Sequence, residues 1–275
     1  MKNQQLNMYF TWRKSKMLDI KKELSDLQTM YKDNARTNTF NALIYGPMGT
    51  GKTNCARTCR GPVLIHSFDP GGTKTVRDEV EAGRVYVDNR FENEDPLNPS
   101  AFAAWDKEYH RLKQGGMFNN IGTYIIDSGT TWSSAAMNVT LKKAGRPGGT
   151  PQQNDYLPTM VLLENAIKDI TSLPCDVILI CHEDTDKDEA SGKMFVGPLF
   201  IGKLKYRIPI LFDEIYYACT KESSAGVKYF FLTRATGLYK ARTRLGKGGL
   251  FETYEEQDIK ALLKKAGYDT SDKQI

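Results

Sequence analysis

The chain of 275 residues has only five cysteines, three histidines and three tryptophans, and it has no long apolar run. The thiols Cys55, Cys59, Cys175, Cys181 and Cys219 are odd in number and fall mostly in segments that read as helix or strand. That excludes a disulfide-stapled scaffold and points to reduced thiols in a core. Cys55 and Cys59 are four apart and would share a helix face. A metal pair there would need a Cys/His pair elsewhere at metal-site spacing, and the sequence offers none, so packing is the expected role. No segment approaches the ~18 apolar residues of a membrane span, and the polar, heptad-like stretch Met1–Met30 does not resemble a secretory signal. A soluble cytoplasmic protein with no membrane partner is expected. Internal repeats and low-complexity tracts are also missing. Charge of either sign is not in great excess: the net charge is +5, compatible with a nucleic-acid partner without requiring one.

What is present is enough for a sizeable core, with 40% hydrophobic and 11% aromatic residues. The most informative segment is Gly46-Pro47-Met48-Gly49-Thr50-Gly51-Lys52-Thr53, which satisfies the phosphate-loop pattern G-x-x-x-x-G-K-[ST] in full. Its glycines let successive backbone N–H groups converge on a phosphate. Lys52 would neutralise β- and γ-phosphate charge, and Thr53 would place its hydroxyl on Mg²⁺. The apolar run Ala42–Tyr45 before the loop suits a buried strand. Asn54–Arg60 after it lacks proline and glycine and can open a helix, whose N-terminus favours phosphate.

The rest of the chain alternates strand and helix. Strands are expected at Phe40–Tyr45, Pro62–Ser67, Arg84–Val87, Thr123–Ile126, Asp176–Cys181, Glu214–Thr220 and Lys228–Arg234. Leu238–Arg244 is expected to pair back as a hairpin through Thr236-Gly237. Helices are expected at Ser100–Lys113, Thr131–Lys143, Met160–Leu173 and Glu255–Ala266. This predicts an α/β fold with a mostly parallel twisted sheet covered on both faces. Residues 1–38 read as a separate helical extension with an apolar stripe at Met17, Leu18, Ile20, Leu24, Leu27, Met30 and Tyr31; residues 39–275 form the core, ending in a helix.

A phosphate loop needs further groups to act. Tyr124-Ile125-Ile126-Asp127-Ser128 is an apolar strand ending in an acid, where ligands bind in such sheets, so Asp127 is the candidate for ordering the Mg²⁺ shell. Asp69 follows the second strand in Asp69-Pro70-Gly71-Gly72; it is either the acid that activates water or a turn residue. Glu79 and Glu183 are weaker candidates. His182 ends the strand Val177–Cys181 and is a candidate sensor of the γ-phosphate, whereas His66 and His110 read as structural. Basic residues cluster at Lys203, Lys205 and Arg207, and at Arg234, Lys240, Arg242, Arg244 and Lys247. At period two, Lys240, Arg242 and Arg244 would lie on one strand face.

The order of these motifs resembles the RecA-like ATPases over roughly residues 40–250. The block I-I-D-S at Ile125–Ser128 is similar to their Walker B segment, and His182 falls where they carry a polar sensor. Asp69–Gly72, Cys181-His182-Glu183-Asp184 and Tyr239–Arg244 liken the chain to short phage members of that group, RecA-core proteins of single-strand annealing and recombination. The resemblance implies a RecA-like P-loop fold, ATP and Mg²⁺ as cofactors, and a ring or filament of like subunits. It also implies single-stranded DNA as partner, directly or through a single-strand-binding protein, and a host cytoplasm if the chain is viral. Asn54 would complete the nucleotide cradle. Arg242 and Arg244 would reach a neighbouring subunit's nucleotide, or else face DNA. Two mobile DNA-binding loops would be Ala144–Tyr156 and Glu183–Pro198; the second departs from the pattern through its acidic first half and offers only Lys193, Met194 and Phe195 to DNA. Two other functions fit the same motifs: a motor or loader ATPase acting on a protein, and a nucleotide-switched binding module without turnover.

Overall fold

The computed structural model describes residues 18–187, 192–224 and 226–274. Ten strands run in chain order: β1 Asn41–Tyr45, β2 Val63–Ser67, β3 Val85–Asp88, β4 Thr123–Asp127, β5 Asp176–Cys181, β6 Glu183–Lys187, β7 Met194–Pro198, β8 Glu214–Ser223, β9 Gly226–Leu232 and β10 Tyr254–Glu256. Eight form one sheet in the order β10-β9-β8-β1-β5-β4-β2-β3, and β6 and β7 form a separate ribbon. The six strands from β8 to β3 are parallel; β9 and β10 are added antiparallel at one edge. β1, β2, β4 and β5 are buried at every position, which is why apolar residues dominate them, with the polar Asn41, His66, Ser67, Thr123, Asp127 and Asp176 buried at or near their ends. This is the expected α/β phosphate-loop sheet.

One face is covered by the helices Ala101–Gln114, Gly129–Lys143 and Gln153–Ile170, which bury Trp105, Trp132 and Leu163 against the sheet. The other is covered by short pieces: Cys55 and Ala56 just after the phosphate loop, Phe251, and the helix Ile259–Lys265. Cys55 and Cys59 are both buried here, with the Cys59 thiol donating to the Cys55 carbonyl at 3.3 Å.

Several elements depart from expectation. The segment after the phosphate loop is a 3₁₀ helix, Thr53–Thr58, and not an α-helix, because Gly61-Pro62 opens the next strand almost at once. The helix expected from Met160 begins at Gln153: a capping box between Gln152 and Asp155 starts it, and Pro158 sits near its N-terminal end. The first of the two expected mobile loops is thereby shortened and tied down, since Arg146 binds Asp155 at 2.7 Å. The second is largely the β6–β7 ribbon. Leu238–Arg244 is not a strand. The expected turn through Thr236-Gly237 is there, with Thr236 bridging Tyr239 antiparallel, but beyond it the segment makes isolated bridges, Val196 with Tyr239 and Ile215 with Arg242, and the chain closes the sheet through β10 instead.

The helix Ile20–Asp33 is capped by Asp19 and buries none of its side chains. Among the described residues no helix is long and apolar enough to cross a membrane.

Candidate functional site

The phosphate loop leaves the C-terminal end of β1, and β5 separates β1 from β4. The parallel register then sets the ends of β1, β5, β4 and β2 along one edge: Tyr45 opposite Cys181, Ile180 opposite Asp127, and Asp127 opposite Ser67. Of the leading candidates from the sequence, Gly46–Asn54, Asp69, Asp127, His182, Arg242 and Arg244, all but two come to that edge. Gly46 is required there because a Cβ would lie 2.4 Å from the Ala218 carbonyl oxygen.

Lys52 is buried and its ammonium turns back onto the loop, donating to the carbonyls of Gly46 at 2.8 Å and Pro47 at 2.6 Å. Burial draws its pKa below the ordinary lysine value, against the pull of Asp127. The Thr53 hydroxyl donates to Asp127 Oδ2 at 2.5 Å. Asp127 is 4% exposed, and burial pushes its carboxyl up to about 6 although the Thr53 hydrogen bond acts to lower it.

Asp69 and His182, proposed from the sequence for separate tasks, are partners. Phe68 N–H donates to the Asp127 carbonyl at 2.6 Å, which carries the β2–β4 pairing one residue further and sets Asp69 over the edge. His182 Nε2 lies 3.0 Å from Asp69 Oδ2. Ser128 Oγ donates to Asp69 Oδ1 at 2.9 Å, and Thr131 Oγ1 donates to the same oxygen. Burial raises the Asp69 carboxyl, but the bonds from His182, Thr131 and Ser128 outweigh it and hold the group below its ordinary value. The backbone of His182 is itself fixed: its main-chain N–H donates to Thr130 Oγ1 at 3.0 Å, and that hydroxyl donates to the Leu199 carbonyl, also at 3.0 Å.

Met48, Gly49, Thr50, Gly51, Lys52, Thr53, Asn54, Asp69, Asp127 and His182 line one cavity of about 610 Å³, with Gly72, Thr75 and Tyr229. The volume suits a nucleotide. Thr53 and Asp127 are hard oxygen donors of the kind Mg²⁺ takes. Among the described residues no three His, Cys, Asp or Glu converge. A metal held here would complete its shell with phosphate oxygens and water, as Mg²⁺ commonly does.

Arg242 and Arg244 are the two exceptions. They lie by the N-terminal end of β8, at the opposite edge of the sheet from the loop of their own chain. Arg242 donates to the carbonyls of Pro209 and Phe212, and Arg244 pairs with Asp213 at 2.5 Å. They form no row on a strand face, because that segment turns and bridges instead of extending. Glu79 is taken up by Arg57 at 3.3 Å and Arg84 at 3.7 Å, and Glu183 Oε2 is buried with no hydrogen-bond partner among the described residues. His66 is buried in the core, 2.8 Å from the Tyr124 hydroxyl, and burial lowers its pKa to about 4. His110 sits on a helix surface, 2.8 Å from the Asp106 carbonyl. Sequence reasoning missed Ser128 and Thr131 as partners of Asp69, for which the hydroxyl-rich run Ser128–Thr131 was a signal. It also missed Tyr229, for which there was none.

The model of a family described as an AAA domain matches residues 39–245. The chain belongs to that family of P-loop ATPases. Among solved structures the AAA domain is similar to the flagellar accessory protein FlaH from Methanocaldococcus jannaschii, at 12% identity over 78% of this chain and 83% of that one, with a TM-score of 0.41. It is similar also to a KaiC-like protein from Pyrococcus horikoshii, at 13% identity over 74% and 81%, with a TM-score of 0.42. A third is an ATPase from the type III secretion system of pathogenic bacteria, at 11% identity over 66% and 51%, with a TM-score of 0.46. No curated protein matches the chain.

Proposed function

We propose that this AAA domain is a Mg²⁺-dependent ATPase that assembles as a ring or filament and works on single-stranded DNA, directly or through a single-strand-binding protein, in recombination, annealing or replication. The observation that carries the reading is the Thr53–Asp127 pair beside Lys52, on a cavity that the Asp69–His182 pair also lines. Lys52 leaves its loop carbonyls to meet phosphate, Thr53 and Asp127 hold the metal, Asp69 orients the attacking water, and His182 faces the γ-phosphate. Bound Mg²⁺ supplies charge neutralisation at the transferring phosphoryl group.

The β6–β7 ribbon supports the DNA part. Two of the acids that would repel phosphate are partnered: Lys205 lies 2.5 Å from Asp186 and 3.4 Å from Asp184. Phe195 and Tyr206 stand close by, with the Lys240 ammonium 3.3 Å from the Phe195 ring centre. Aromatic faces with cations suit single-stranded nucleic acid. A second reading, a loader acting on a protein partner, is favoured by the exposed apolar stripe of Ile20–Asp33.

The test is ATP turnover with and without single-stranded DNA, alongside particle size by light scattering. Stimulation by DNA in a large assembly is expected. Turnover indifferent to DNA favours the loader, and no turnover at all removes the enzymatic reading.

A further inference from the structure

The phosphate loop explains how a triphosphate is held but not how its base is. β8 outlasts its pairing with β1: the register ends with Tyr45 opposite Tyr217, yet β8 continues to Ser223 and β9 returns beside it from Gly226. The hairpin stands past the sheet edge as a wall beside the loop, and the loop is seated on it. A side chain at Gly51 would come within 3.0 Å of the Tyr229 ring. Gln257 Nε2 donates both to the Thr50 carbonyl at 2.8 Å and to the Phe230 carbonyl at 3.0 Å, joining loop to wall.

Apart from the His182 imidazole, which is taken up by Asp69, Tyr229 is the one aromatic side chain among the described residues that line the cavity, and it is still 43% exposed. The charged groups there, Lys52, Asp69, Asp127 and His182, are those assigned to phosphate, metal and water. Thr50 and Thr53 are taken up by the Pro47 carbonyl and Asp127. Asn54 and Thr75 are the neutral polar side chains left, and both are exposed. Asn54 Oδ1 already accepts from Arg57 at 2.7 Å. A hydrogen bond from such a group to a base edge only replaces one to water, so it separates one base from another weakly. A ring face, in contrast, accepts any base.

We propose that Tyr229 is the platform on which the nucleotide base stacks, and that the base is held by its face and not read by its edge. The substrate class is then the nucleoside triphosphates at large, ATP among them. The inference rests on the phosphate-site reading above.

The test is calorimetric titration of the full chain in Mg²⁺ with ATP, GTP, CTP, UTP and inorganic tripolyphosphate. The four nucleotides should bind within about tenfold of one another. Tyr229→Ala should weaken all four by roughly 5- to 150-fold and leave tripolyphosphate unchanged, while Tyr229→Phe keeps wild-type affinities. A preference of more than about a hundredfold for one base overturns the proposal, as do unchanged nucleotide affinities in Tyr229→Ala. Equal loss of tripolyphosphate binding in Tyr229→Ala would make the ring a prop for the loop and overturn it too. Failure of the wild-type chain to bind tripolyphosphate or any nucleotide would instead remove the phosphate site and this inference with it.

Discussion

Asp127 carries a conflict between stability and chemistry. Burial raises its carboxyl from 3.8 to about 6, so in the nucleotide-free protein at pH 7 the ionised form costs the fold about 3 kcal/mol. The sign follows from the raised value: the folded state binds the proton more tightly, and the fold gains stability as pH falls from above 6 to below 4. Asp127→Asn removes the charge. Urea unfolding at pH 7 should show the variant more stable than wild type by up to about 3 kcal/mol, with the gain shrinking toward pH 4; an unchanged difference across that range would locate the cost elsewhere. Turnover should fall by about a hundredfold, since Thr53 alone cannot order the metal. The Asp69–His182 pair makes a different prediction. Its carboxylate is held ionised by three donors, so its substitution should act on turnover and spare binding. His182→Ala and Asp69→Asn should each lower kcat by about 10² or more with ATP affinity within a few-fold of wild type. Their double variant should lose little beyond either single one, because the pair acts as a unit; fully additive losses would mean independent roles. Gly46–Thr53 was legible in the sequence because phosphate chemistry needs those residues contiguous. The Asp69–His182 contact was not, since it joins the ends of β2 and β5 across β4, and no local pattern records which strands are neighbours.

At the scale of elements, buried parallel strands were easy to read: β1, β2, β4 and β5 are mostly apolar because both faces are covered. Pro158 hid the start of the helix Gln153–Ile170, and the alternation of Lys240, Arg242 and Arg244 imitated a strand where side chains bind Asp213 and the carbonyls of Pro209 and Phe212. Arg242 thereby ties this segment to the Pro209–Phe212 turn. Arg242→Ala leaves those carbonyls without their cation and should cost about 1–3 kcal/mol in thermal or chemical unfolding, whereas Arg244→Ala, which breaks a half-exposed pair, should cost under about 1 kcal/mol. Comparable losses would show that Arg242 is not the anchor.

At the scale of the whole molecule, the N-terminal helix is the part least tied to the rest. Its neighbours in sequence are tied: Arg36 donates to Thr171 Oγ1 at 3.4 Å, and the Thr37 carbonyl accepts from the Tyr268 hydroxyl at 3.4 Å. A truncation of residues 1–34, which spares these two contacts, isolates the helix. It should leave ATP affinity and core stability unchanged and reduce particle size in light scattering. Loss of solubility or of nucleotide binding would place the helix in the core. A helix of 14 residues with no buried side chain is marginal in water, so its far-ultraviolet signal should grow with protein concentration if subunit contact completes it.

Gln257 reaches the phosphate loop from a position 207 residues downstream of Thr50. During synthesis the loop, β1 and the acids of the nucleotide edge all leave the ribosome long before that side chain does. β9, which builds the wall against Gly51, also follows late, and the Thr50 carbonyl lacks its amide clamp until Gln257 itself is out. A nascent chain stalled before residue 257 should accordingly bind ATP poorly even though every residue that touches phosphate is already exposed. Competence to bind nucleotide should thus appear only once translation has passed β10, a timing that nucleotide binding by ribosome-bound chains of increasing length reads out.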